Sequence, residues 1–157
     1  LQNLKEKKIP DGEFELRVWA ALKYGKALNC FIIQGSDDKR VASLFTVYAD
    51  GNGDFKKSAK GKTIVDKRIF QEPKSGWKRV NDYLIEKGVQ SPLNFAWDAE
   101  ERLAVEDESA ITLELKKGEN YSLISYRQLT KTSDGKTVID ICNHLSNEFG
   151  VELGCNY

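Results

Sequence analysis

From Phe14 onward the chain alternates apolar and polar residues. Phe14, Leu16, Val18, Ala20 and Leu22 fall on one side, and Glu15, Arg17 and Trp19 on the other. A period of two belongs to a β-strand, because successive side chains point to opposite faces of a sheet. A strand with one apolar face needs neighbours beside it and a layer above it, and that requirement governs the reading of everything downstream. Gly25-Lys26 supplies a turn, and Leu28 to Gln34 returns as a second strand, dense enough in apolar residues for burial on both faces. Ser36-Asp37-Asp38 turns the chain into a third strand from Val41 to Ala49, rich in β-branched and aromatic residues. Residues 50–62 read as a loop with a lysine-rich tip, and Thr63 to Phe70 as a fourth strand closed by Pro73.

The period then lengthens. Trp77, Val80 and Leu84 make a helical stripe, with Ser75 in the position of an N-cap and Gly88 in that of a C′ glycine. Ile111, Leu113 and Leu115 resume the alternation, Lys117-Gly118-Glu119-Asn120 turns it, and Tyr121 to Arg127 pairs back as a hairpin. A last helix, Lys136 to Phe149, carries Val138, Ile141, Cys142, Leu145 and Phe149 on one stripe; Ser133 or Asp134 caps it and Gly150 ends it. The order β-β-β-β-α-β-β-α, with hairpin-length links, predicts an α+β domain. An antiparallel sheet of about six strands carries two helices packed on one face. The division is an N-terminal arm over 1–12 and a single domain over 13–157, with the second face of the sheet left to water.

Charge and composition narrow the function classes. Lys and Arg together number 24 and so do Asp and Glu, which is not the basic excess of a nucleic-acid binder. No apolar stretch approaches the ~20 residues that span a bilayer. The chain contains no Met, which reads as a processed or trimmed product whose leader, a secretory signal or an expression tag, has been removed. Cys30, Cys142 and Cys155 allow at most one intramolecular disulfide; Cys155 follows the last helix and reaches back to either Cys30 or Cys142.

Four motifs invite chemistry. Gly135-Lys136-Thr137 and Gly61-Lys62-Thr63 echo a phosphate-binding loop, but the place of its first glycine holds Thr130 in one case and Lys56 in the other. Asp50-Gly51-Asn52-Gly53-Asp54 opens like a calcium loop, yet Phe55 and Gly61 stand where that loop needs Gly and Glu, so it reads as a hairpin turn. His144 and Cys142 lie two apart on a helix and their side chains diverge. Glu114 and Lys116, with Asp98 or Asp107 upstream, resemble the carboxylate-and-lysine set of metal-dependent nucleases, although a solvated strand face produces the same spacing. No catalytic residue, metal ligand or cofactor is assigned.

The remaining signal is local charge. Residues 56–68 hold Lys56, Lys57, Lys60, Lys62, Lys67 and Arg68 against Asp66 alone, and residues 98–108 hold Asp98, Glu100, Glu101, Glu106, Asp107 and Glu108 against Arg102 alone. A charged rim around aromatic residues is the anatomy of a protein interface. The candidate partner-binding residues are therefore Trp19, Trp97, Lys57, Lys60, Lys62, Glu100 and Glu101.

The run Phe14-Glu15-Leu16-Arg17-Val18-Trp19, the helix start Ser75-Gly76-Trp77, the hairpin tyrosines Tyr121 and Tyr126 and the ending Glu148-Phe149-Gly150 carry a resemblance. Over most of residues 13–150 the chain resembles a loose group of uncharacterised bacterial proteins, many with lipoprotein or secretory leaders, and it departs from them at Phe95–Glu108. The resemblance implies a periplasmic or cell-envelope location and no chemistry. Three expectations follow from these readings. The first is a non-catalytic protein-binding or accessory module of the envelope, with another protein as partner and no nucleic acid. The second is a cytoplasmic immunity-type interaction protein with free thiols. The third is a metal-dependent hydrolase using Asp98 or Asp107, Glu114 and Lys116.

Overall fold

A computed structural model describes residues 2–21, 27–36, 39–50, 54–89, 111–126 and 133–155. Its strands are β1 (Phe14–Ala21), β2 (Ala27–Gly35), β3 (Arg40–Tyr48), β4 (Val65–Phe70), β5 (Ile111–Lys117) and β6 (Asn120–Tyr126). The helices are α1 (Trp77–Glu86) and α2 (Ser133–Phe149). All six strands join one antiparallel sheet in the order β4-β3-β2-β1-β5-β6. The first four strands are a meander. The chain then crosses by way of α1 and adds the β5–β6 hairpin beside β1, so the first strand ends up in the interior of the sheet.

One face carries the core. Leu16, Val18 and Ala20 of β1, Phe31 and Ile33 of β2, Ala42 and Leu44 of β3, and Ile111, Leu113 and Leu115 of β5 meet Val80 and Leu84 of α1 and the whole expected stripe of α2. Aromatic rings close one side of this layer. Phe149 lies 4.9 Å from Phe31, 5.6 Å from Phe70 and 5.6 Å from Trp77, centroid to centroid. Burying each such side chain contributes about 1.5–3 kcal/mol. Strand β2 is buried on both faces, with Cys30, Phe31, Ile32 and Ile33 all covered.

Two local expectations need correction. Gly76, not Ser75, occupies the N-cap of α1, at φ 83°, and caps no amide through a side chain. Ser75 is occupied otherwise: its amide donates to the Glu148 carboxylate at 2.8 Å, tying the entrance of α1 to the end of α2. Helix α2 starts at Ser133, three residues before the expected Lys136, so Gly135-Lys136-Thr137 forms its first turn. Gly88 and Gly150 do end their helices with positive φ, as the C′ position requires. At the β2–β3 turn a Cβ on Gly35 would stand 2.1 Å from the Lys39 carbonyl oxygen, so only glycine fits there.

The open cysteine pairing resolves to Cys142–Cys155, 13 residues apart, with Cys30 free and buried. The bridge pins the tail after α2 onto the helix. Asn29 holds the same tail from the sheet, donating to the Glu152 carbonyl at 2.9 Å while accepting from the Thr46 hydroxyl at 2.8 Å. Closing a loop of this length stabilises the fold by about 3 kcal/mol on the chain-entropy account. Cys155→Ser should therefore lower the thermal midpoint by roughly 6–12 °C. Burial pushes the Cys30 thiol far above its usual range. Thiol titration of oxidised protein should find no reactive group in the native state and a single one in denaturant.

Candidate functional site

On the second face of the sheet the charges fall in a fixed pattern. Glu15-Leu16-Arg17 of β1 runs antiparallel to Glu114-Leu115-Lys116 of β5, which sets Glu15 across from Lys116 and Arg17 across from Glu114. Opposite charges across a ladder attract, and like charges would oppose pairing. The expectation that this face is left to water fails at its centre: Glu15, Arg17, Glu114 and Lys116 are all buried, with Glu15 1% exposed. The cover is the N-terminal arm. The Gln2 carbonyl accepts from Arg17 Nη1 at 2.8 Å, the Lys5 carbonyl accepts from Lys116 Nζ at 2.6 Å, and Lys7 pairs with Glu15. Leu4, between these anchors, is fully buried.

The cluster satisfies itself. Glu15 accepts from Arg17 Nε at 2.7 Å. Glu114 accepts from the Trp19 indole N–H at 2.6 Å on one oxygen and from the Tyr121 hydroxyl at 3.0 Å on the other, with Arg17 Nη1 at 3.9 Å. Burial first, and then the bond to Glu114 and its negative charge, push the Tyr121 phenol up to about 12. Trp19 is thus half-buried and tied down by its N–H, beside buried Cys30 on β2. Both Glu114 oxygens already accept bonds, and Lys116 points its ammonium at a backbone carbonyl. Asp98 and Asp107, the other half of the nuclease-like set, lie outside the described residues.

Away from this centre the face opens at the β3–β4 edge. Val65 and Ile69 of β4 are 46% and 59% exposed, and Lys67 sits between them over the Phe45 ring, 5.2 Å from its centroid. The stretch between β3 and β4, expected as a loop, does not extend their hairpin but carries two short antiparallel pairings of its own: Ala49 bridges Phe55 and Lys57 bridges Thr63. The Asp54 amide donates to the Asp50 carboxylate at 3.0 Å, and residues 51–53, expected in the turn, lie outside the described residues. Lys57, Lys60 and Lys62 stand exposed along this stretch, together with Phe55. The structure therefore places the three lysines exposed in the segment between β3 and β4, and Trp19 inside the charged centre. Trp97, Glu100 and Glu101 lie outside the described residues. The exposed pair Val65 and Ile69 was missed, although their alternation with Asp66 and Arg68 on a strand was visible.

Other recesses are modest. A cavity of about 60 Å³ lies between α1 and the sheet, lined by Phe14, Leu16, Leu84 and Leu115 among others. That is far below the ~300–1,000 Å³ of small-molecule sites. An open groove of about 370 Å³ runs between the polar flank of α2 at Asn143, Ser146 and Asn147 and the tail at Val151–Cys155. His144 stacks on Tyr83 at 3.8 Å between the two helices, and burial pulls its imidazole below the ordinary histidine range. Among the described residues no group of three or more His, Cys, Asp or Glu side chains gathers as a metal site, and no helix is long and apolar enough to cross a membrane. Compared with known proteins, the chain matches no family model, no curated protein and no solved structure.

The buried cluster and its cover lead to two expectations. Arg17→Met leaves Glu15 and Glu114 without their shared cation and should cost about 3–5 kcal/mol in denaturant unfolding, whereas Leu4→Ala should cost about 2–5 kcal/mol although it touches only the arm. In alkaline titration Tyr121 should ionise near 12, and Glu114→Gln should lower that value without restoring it to 10, since burial is the larger cause. The sign for stability follows: between pH 10 and 12 the unfolded chain releases this proton and the folded one keeps it, so stability falls as pH rises through that window.

Proposed function

We propose that this chain is a non-catalytic protein-binding or accessory module of the bacterial cell envelope. The observation that carries the reading is the β3–β4 margin, where Val65 and Ile69 of β4 are exposed and the segment leading into that strand exposes Phe55, Lys57, Lys60 and Lys62. Exposed apolar side chains on a stretch rich in cations suit a protein surface better than a small molecule, because the apolar contact supplies affinity and the charges steer and orient. The polar groups best placed for chemistry, Glu114 and Lys116, are committed to holding the sheet and the N-terminal arm together. An envelope location draws support from the Cys142–Cys155 bridge, since disulfides persist in oxidising compartments. The same bridge weighs against the cytoplasmic immunity-type reading, which needs three free thiols.

Lysine-reactive cross-linking of the chain in an envelope preparation tests the proposal. Cross-links from Lys57, Lys60 or Lys62 to peptides of one other protein are expected, and the affinity of the chain for that protein should fall about tenfold when all three lysines are changed to Glu. Cross-links confined to other lysines, or none at all, would overturn it.

A further inference from the structure

The reading above leaves open how a partner is held, and one edge of the sheet bears on that. Strand β4 is the last in the order, and among the described residues nothing pairs with its outer side. Alternate residues of Val65–Phe70 therefore turn their backbone N–H and C=O groups outward, a template for one more strand. Proteins commonly block such an edge with long cations reaching across it. Here Lys67 leans back over β3 and Arg68 lies along its own strand instead. Lys67 Nζ lies 5.2 Å from the Phe45 centroid, and the Arg68 guanidinium lies 5.4 Å from that of Phe70. Asp66, the strand's one anion, accepts a hydrogen bond from the Tyr48 hydroxyl at 2.8 Å. What faces an incoming strand is Val65, Lys67 and Ile69 on one side, and Arg68 on the other.

We propose that β4 receives an extended segment of a partner protein as a seventh strand, and that this segment alternates apolar residues with Asp or Glu. The proposal rests on the protein-binding reading and goes beyond it by naming the mode and the chemistry of the partner. Charge selects the occupant. From Asp54 to Phe70 the chain carries Lys56, Lys57, Lys60, Lys62, Lys67 and Arg68 against Asp54 and Asp66. A second copy of the chain is disfavoured on that ground. In full antiparallel overlap two β4 strands place Lys67 opposite Arg68 twice; one residue off, Lys67 meets Lys67 while Asp66 meets Arg68 twice, so what opposes a second copy is the excess of six cations over two anions that each copy brings. Like charges directly across a ladder oppose pairing. An acidic segment gains from each of these positions. Its apolar residues cover Val65 and Ile69, and its backbone completes the edge, which is how strand addition divides affinity from specificity.

The probe is an acetylated, amidated heptapeptide alternating valine and glutamate, compared with its lysine-for-glutamate counterpart and titrated into the full chain while backbone amide shifts are followed. The acidic peptide is expected to move amides within Val65–Phe70, to bind more weakly as salt rises, and to lose about tenfold in affinity in the double variant Lys67→Glu/Arg68→Glu. The lysine peptide is expected not to bind. Both substitutions sit on an exposed strand, and an unchanged thermal midpoint checks that the fold survives. Leu123→Glu on the opposite edge strand β6 should leave binding as it is. Absence of binding by the acidic peptide overturns the inference, as do shifts centred on β6 or dimerisation of the free chain through β4. In each of these cases cross-links from Lys57, Lys60 or Lys62 to another protein would leave the protein-binding reading standing, and their absence would remove that too.

Discussion

The pairing of β1 with β5 depends on four charges. Glu15 and Arg17 face Lys116 and Glu114 across the ladder, and this register is the only nearby one that the chain tolerates. A slip of one residue would carry the charges into the layer holding Leu16, Val18, Leu113 and Leu115. A slip of two would set Glu15 against Glu114 or Arg17 against Lys116. Because β1 is also paired with β2, the same lock places the β5–β6 hairpin against the whole meander, and with it the face that α1 and α2 cover.

Such a cluster is costly to desolvate unless every member is bonded, and the N-terminal arm completes it. Backbone carbonyls of Gln2 and Lys5 take the protons of Arg17 and Lys116 that the sheet leaves over, Lys7 adds a cation beside Glu15, and Leu4 excludes water. Trp19 and Tyr121 close the other side through Glu114. The consequence for function is a division of the second face. Its centre is sealed and structural, and its β3–β4 margin, lacking such a cover, keeps apolar and cationic side chains in water.

Much of the architecture was legible because the periods are clean. Alternation marked β1 and β5, dense apolar or β-branched runs between turn residues marked β2 and β3, the 3.6-residue stripes marked both helices, and Gly88 and Gly150 marked their ends. The misreadings have physical causes. Ser75 looks like an N-cap, but Gly76 at φ 83° starts the helix one residue later and leaves the Ser75 hydroxyl buried without a hydrogen-bond partner, while Glu148, 73 residues away, takes its amide. Glu15, Arg17, Glu114 and Lys116 look like a solvated face because alternation records which residues share a side, not what lies over that side. The site was legible in part: Lys57, Lys60 and Lys62 stand out as a charge run, while Trp19, read as an outward aromatic, is held by Glu114.

What the sequence determined by itself is each element's kind and apolar face, since these depend on neighbours within a few residues. It also limited the cysteines to one bridge. The strand order, the placing of β5 beside β1 rather than beside β4, the choice of Cys142 over Cys30 as partner of Cys155, and the burial of the charged centre were decided only in three dimensions. Each depends on contacts between residues far apart in the chain, where complementary charge, the path of α1 across the sheet and the tail's packing on α2 select one arrangement among several that the local pattern permits equally.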